Sequence, residues 1–203
     1  MRMLAIETAT EACSLALFES GSLLAARHEI LGRGHAEYLV PLIAELPDRG
    51  RASEIRISLG PGSFTGVRIG LAAARALGLA WGAEVRGFPT LALVAATART
   101  QQPGPVSVCM AGGHGEWFVQ DFAADGMPEG EARSLAPNMA VEGCNYSTLA
   151  GNRAPDGAML NGPGYTILDI LPDARFVPDL PEGLLRTDLT PIYGRLPDAK
   201  APA

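Results

Sequence analysis

Lysine is nearly missing from this chain: Lys200 is its single example. A P-loop, which needs Gly-Lys-Ser/Thr, is thereby excluded. The three cysteines, Cys13, Cys109 and Cys144, are odd in number and far apart in sequence. Neither a disulfide framework nor a Cys-x-x-Cys metal knuckle is expected from them, and a reducing, cytosolic setting fits. The three histidines, His28, His35 and His114, are equally dispersed, so no metal-ligating set stands out. Glu7 interrupts the N-terminal apolar stretch too early for an export signal. The longest weakly polar segment, 66–83, carries Arg68 and Arg75, each costing roughly 2.5 to 3.5 kcal/mol at a bilayer centre. It reads as a buried helix, and no membrane contact is expected. With a net charge of -6 and scattered arginines, no broad basic surface for nucleic acid is implied.

What is present is enough for a core, since 203 residues at 47% hydrophobic content fit one large domain or two small ones. The most informative stretch is Gly60-Pro61-Gly62-Ser63-Phe64-Thr65-Gly66-Val67-Arg68-Ile69-Gly70, which follows the apolar run Ile55, Ile57, Leu59 and opens into an alanine-rich helix. Glycine there supplies positive φ, close backbone approach or room for a packing partner, and the spacing leaves all three open. It matches no dinucleotide fingerprint, because the third glycine comes one residue late. Ser63 lacks the Gly-x-Ser-x-Gly elbow, so Ser63 or Thr65 reads as an N-cap.

Apolar periodicity predicts strands at 3–6, 12–18 and 23–30, a helix over 35–46, a strand at 55–59, a helix to Trp81, a strand near Val85 and a helix from Thr90. The first three strands form an antiparallel meander, with Gly21-Ser22 as a hairpin turn. A linker at 101–105 precedes strands at 106–110 and 116–122, and 123–197 is dense in Pro and Gly without a helical period. The expected division is a first lobe over 1–102 and a smaller, trimmed lobe over 103–203, with 190–203 returning to the first. In the helix after the turn, Gly66, Gly70, Ala74, Gly78 and Gly82 recur every four residues and leave a flat ridge. Each glycine costs roughly 1 kcal/mol of helix propensity, so the ridge must gain something by close approach, either to its own sheet or to a partner. The 35–46 helix carries a stripe of Tyr38, Leu39, Leu42, Ile43 and Leu46, with Pro41 inside it.

The string Gly60 to Gly70, the opening 1–18 and the segment 35–43 resemble the TsaB family, and 190–200 is a short echo of that family's tail. The resemblance implies an α/β, two-lobed actin-like fold of ribonuclease-H-like halves, and a non-catalytic scaffold and activator in forming threonylcarbamoyladenosine next to the anticodon of tRNA. It implies pairing with a TsaD-type transferase, recruitment of a TsaE-type ATPase, a homodimer through the same helices when alone, and only indirect contact with tRNA. The interface so implied comprises His35, Tyr38, Leu39, Leu42, Gly66, Val67, Arg68, Gly70, Leu71 and Ala74. The His-x-x-x-His metal pair of the TsaD-type helix is absent, Leu39 standing four residues after His35.

A vestigial nucleotide site is placed by the same resemblance at Glu7, Thr8, Gly60 and Gly62. Glu7 occupies the place of a usual aspartate and sets its carboxylate one methylene farther out, where magnesium geometry is strict. No cofactor is expected to bind this chain strongly by itself, ATP and magnesium being expected, if anywhere, at the level of the complex. The rival reading is an independent ATP-dependent phosphotransferase or hydrolase of the actin-like fold, using Glu7 and the 60–66 loop. A peptidase has no dyad, triad or metal pair in sequence to support it. The 110–114 segment (Met-Ala-Gly-Gly-His) departs from the Asp-Ala-Arg element of the family's second lobe, so no role carries over to it.

Overall fold

The computed structural model describes residues 1–194. Strands β1 (Arg2–Glu7), β2 (Ala12–Glu19) and β3 (Ser22–Ile30) form the predicted meander. Helix α1 (His35–Ala44) then leads to β4 (Glu54–Ser58), helix α2 (Phe64–Trp81), β5 (Glu84–Phe88) and helix α3 (Thr90–Gln101). The sheet order is β3-β2-β1-β4-β5, with β4 parallel to β1 and β5 parallel to β4. Because side chains alternate along a strand, β1 feeds two cores. Leu4 and Ile6 pack with Leu39, Ile43, Leu71 and Ala74 under α1 and α2, while Met3 and Ala5 pack with α3 on the other face.

That second core does not stop at the first sheet. Helix α3 is buried from Thr90 to Ala98, its apolar residues lying on every face of that stretch, and its cluster continues into Val106, Val108, Phe118 and Phe122. These belong to a second sheet built from β6 (Val106–Ala111), β7 (Trp117–Phe122), β8 (Pro128–Leu135), β9 (Thr148–Ala150) and β10 (Thr166–Leu168), with short helices α4 (Pro137–Glu142) and α5 (Ala154–Asn161). Its order is β10-β9-β6-β7-β8. With β6 in the place of β1, this repeats the strand order and directions of the first sheet. The lobe read from sequence as irregular and trimmed therefore has a complete five-stranded sheet, with two short helices in place of the first lobe's three longer ones. Strands of three residues and helices of six and eight are too short to display a period.

After β10 the chain returns to the first sheet. The 3₁₀ segment Ala174–Asp179 packs on β1, β2, β3 and α3, and Arg186 exchanges backbone hydrogen bonds with Gly87 at 2.7 and 2.8 Å. Farther on, Arg75 donates to the Leu189 carbonyl at 3.2 Å, and Ile192 N–H donates to the Leu59 carbonyl at 2.7 Å. The remainder of the tail segment, 195–203, lies outside the described residues.

Ser63 is the N-cap of α2, its hydroxyl accepting from the Gly66 amide at 3.2 Å, and Gly82 closes the helix in the left-handed conformation. Ser63→Ala should therefore cost about 1 kcal/mol of stability, read as a lower urea midpoint with an unchanged slope. The flat ridge of α2 faces inward. A β-carbon at Gly66 would strike the Thr8 carbonyl oxygen, and one at Gly70 would strike the Thr8 hydroxyl and come within 2.9 Å of Ile57 Cδ1. Thr8 Oγ1 donates to the Gly66 carbonyl at 2.8 Å, tying the helix to the turn after β1.

Candidate functional site

Between the two sheets lies a cleft of about 840 Å³. Its first wall is the β1–β2 turn, Ala9, Thr10 and Glu11, with Gly62, Ser63, Phe64 and Arg68 at the start of α2. The second is the end of β6 and the turn after it, Met110 to His114, with Phe118 and Asn152, and Tyr193 and Gly194 close one side. The residues at 110–114 to which sequence gave no role thus form a wall of this cleft. At the mouth, the Arg68 guanidinium lies 3.5 Å from the Phe64 ring centroid and donates to the Tyr193 hydroxyl at 3.3 Å. Asn152 spans the cleft. Its Nδ2 donates to Glu11 Oε1 and its Oδ1 accepts from the Ala111 amide, both at 2.8 Å.

Of the four residues placed in a vestigial nucleotide site, only Gly62 lines this cleft. Glu7 is wholly buried and its carboxylate turns back to accept from the Ala9 amide. Burial pushes this carboxyl up to about 7, against the pull of the Ala9 amide and of Ser58. Its other oxygen and the Ser58 hydroxyl are both buried without a hydrogen bond of ordinary geometry. The hydroxyl of Thr8 is spent on Gly66, and the Gly60 carbonyl accepts from the Thr90 amide at 2.8 Å. The Ser63 amide, which a phosphate would need, donates to the Ala9 carbonyl at 2.6 Å. A carboxyl turned away behind the wall and Ser63 and Gly66 amides already bonded within the chain do not fit a magnesium nucleotide held through Glu7 and the 60–66 loop. Among the described residues no group of three or more His, Cys, Asp and Glu side chains is arranged to hold a metal ion.

The structure brings together one constellation that sequence reasoning missed. Ser14 and His28 face each other across β2 and β3, with Ser14 Oγ 3.0 Å from His28 Nδ1, and Asp173 Oδ2 lies 3.9 Å from the same nitrogen. A nucleophilic triad needs one imidazole nitrogen for the serine and the other for the carboxylate. Here both contacts run to Nδ1. Ser14 is buried and also accepts from the Ala174 amide at 2.9 Å. Against the upward push of burial, hydrogen bonds and charge from Arg175 hold Asp173 below the usual carboxylate range. The cluster anchors the returning 3₁₀ segment to β2, and only the pairing register could have revealed it.

Most of the residues expected at an interface are covered by the chain itself. His35 is buried, with Nε2 3.1 Å from the Ala12 carbonyl. Leu39, Leu42, Val67, Leu71 and Ala74 belong to the core or are buried beside it, and Gly66 and Gly70 abut Thr8. Their burial has one physical reason: a flat or apolar helix face goes first to the nearest sheet. Tyr38, at 53% exposure, and Arg68 remain on the surface. Beside them on α1 and α2, Val40, Phe64 and Leu79 are also exposed, Leu79 at 89%.

A family model described as TsaD, tRNA N6-adenosine threonylcarbamoyltransferase, matches residues 28–137. The chain belongs to this family, as a TsaB-type member. The tRNA threonylcarbamoyladenosine biosynthesis protein TsaB of Escherichia coli K12 is 44% identical over 90 residues, covering 42% of this chain and 38% of that protein. The protein of the same name from Haemophilus influenzae is 38% identical over 100 residues, covering 47% and 41%. The matched part thus spans about two fifths of those relatives' length. YeaZ from Pseudomonas aeruginosa superposes with a TM-score of 0.80 at 24% identity, covering 95% of this chain and 99% of that one. That likeness extends the shared fold over both sheets. Among the described residues no helix is long and apolar enough to cross a membrane.

Proposed function

We propose that the chain acts in the cytosol in forming threonylcarbamoyladenosine in tRNA, as a non-catalytic scaffold and activator that pairs with a TsaD-type transferase and works with a TsaE-type ATPase. Its family membership and the names of its relatives support the pathway. The observation that carries the non-catalytic role is the fate of Glu7, sequestered behind the cleft with a carboxyl raised to about 7. Glu7, Cys109, Cys144 and Asp173, whose ionisation the fold displaces, all lie off the cleft wall. The working division is a first lobe over 1–102 and a second over 103–203, with the tail serving the first, and tRNA is met through the partner. The partner surface moves from the buried ridge to the outward faces of α1 and α2, which pack against each other. The same face serves a homodimer when the partner is absent.

Tyr38→Asp and Leu79→Asp test this surface. Both side chains are exposed, so the thermal midpoint of the isolated chain should stay within a degree or two, since surface changes cost about 0.5 kcal/mol or less. Affinity for a TsaD-type partner, measured by calorimetry, should fall about ten- to a hundredfold. Unchanged affinity in both variants removes these helices from the interface.

A further inference from the structure

Two of the three cysteines, 35 residues apart in sequence, meet in the second lobe with their sulfurs 3.3 Å apart. Cys109 sits on β6, the central strand of the sheet, and is fully buried beside Trp117, Val119 and Val141. Cys144 follows the end of α4 and is only half-buried. Its Sγ also lies 3.3 Å from the Ala140 carbonyl. Arg133 donates to the carbonyl of the preceding Gly143 at 2.9 Å, which brings a guanidinium beside the thiol. Opposing it is Asp121, whose carboxylate is held by the Ser107 hydroxyl and the Asn145 amide.

We propose that Cys109 and Cys144 are an oxidisable dithiol that closes to an intramolecular disulfide on reaction with a hydroperoxide, Cys144 reacting first and Cys109 resolving it. The roles follow from position. Cys144 is the sulfur that an oxidant can reach, and Cys109 is the sulfur already in contact behind it. The electrostatics run the same way, since the bond from Cys109, with Arg133 and Ser107, holds Cys144 below the usual thiol range against burial and Asp121. The bond to Cys144 and burial push Cys109 up. A thiolate is the nucleophile.

The Cys144 thiolate attacks one peroxide oxygen, the O–O bond breaks, and the departing alkoxide takes up a proton to leave as an alcohol, or as water from hydrogen peroxide. Cys144 is then a sulfenic acid. The Cys109 thiol gives up its proton and attacks Cys144 Sγ. The S–S bond forms, the S–O bond breaks, and the hydroxide leaves with that proton as water. Two thiols are oxidised and one hydroperoxide is reduced. The sulfurs must close to about 2.05 Å, and Cys144 makes the movement, because β6 is fixed between β7 and β9 while Cys144 lies in the connection from α4 to β9. In a reducing compartment such a bond is transient and signals oxidation instead of bracing the fold.

The test treats the reduced full chain with hydrogen peroxide, alkylates remaining thiols and maps peptides by mass spectrometry. The expected result is a Cys109–Cys144 cross-linked peptide that dithiothreitol reverses, with Cys13, buried in the other core, still alkylated. In Cys109→Ser, Cys144 should stop as a sulfenic acid that dimedone traps. In Cys144→Ser, peroxide consumption at Cys109 should fall at least about tenfold. The proposal is overturned if the unmodified sequence carries Cys144 to sulfinic acid without a cross-link, links two chains instead, or stays fully reduced. The peptide map of the natural sequence decides this even where a variant folds poorly.

Discussion

Replacing Gly70 with leucine is expected to lower the thermal midpoint of the isolated chain by about 10 °C, the equivalent of about 3 kcal/mol of overpacking in a chain of this size. A side chain at that position has nowhere to go, because the Thr8 hydroxyl and Ile57 Cδ1 occupy the space. Displacing Thr8 also breaks its 2.8 Å bond to the Gly66 carbonyl, which joins α2 to the turn after β1. Gly66→Ala should be at least as damaging, since its β-carbon meets backbone, which cannot rotate away. Gly82→Ala is the control. It has a left-handed φ of 65° but open space around it, so its cost should be about 1 kcal/mol from backbone conformation alone. Scanning calorimetry on the three variants checks the ranking. If Gly70→Leu melts like the parent yet loses partner affinity, the ridge is an interface after all and its packing against Thr8 and Ile57 is wrong.

The second large effect is a dependence on pH. Folding lifts the Glu7 carboxyl from its ordinary 4.5 to about 7, so across that window the native chain keeps a proton that the unfolded chain releases. Stability then falls as pH rises from 4.5 to about 7 and levels off above it. The interval is worth about 3 kcal/mol. Glu7→Gln mimics the protonated carboxyl. Its amide oxygen can still accept from Ala9, and its amide N–H₂ gives the Ser58 hydroxyl a donor. Parent and variant should therefore melt together near pH 5, and the variant should be more stable by about 10 °C near pH 8. Equal midpoints at the higher pH would show that folding does not lift the Glu7 carboxyl from its ordinary range, and would reopen the cleft to metal chemistry.

How far the sequence spoke depended on element length and on whether a partner lay nearby in the chain. The first sheet was legible because β1, β2, β3 and α2 are long enough to display their periods, and because Ser63 and Gly82 mark both ends of α2. The spacing of Gly66, Gly70 and Gly78 was equally visible, but a one-dimensional pattern records that something comes close and not what. The answer, Thr8, lies 58 residues upstream of Gly66. The second sheet was illegible where β9 and β10 have three residues each, since their positions are dictated by pairing to β6. The cleft wall at 110–114, the Asn152 bridge and the Cys109–Cys144 contact all join residues separated by tens of positions, with no local signal to read.

The bond from Ile192 N–H to the Leu59 carbonyl also sets a timetable for synthesis. Strands β1 to β5 leave the ribosome early and can pair at once, yet the turn beside Leu59 is not covered until residue 192 has emerged. Closing so long a loop is entropically tolerable, but it is necessarily a late event. A nascent or stalled chain that stops short of this point exposes the glycine turn at the entrance to α2. Maturation of the first sheet is in this way made conditional on translation of the second.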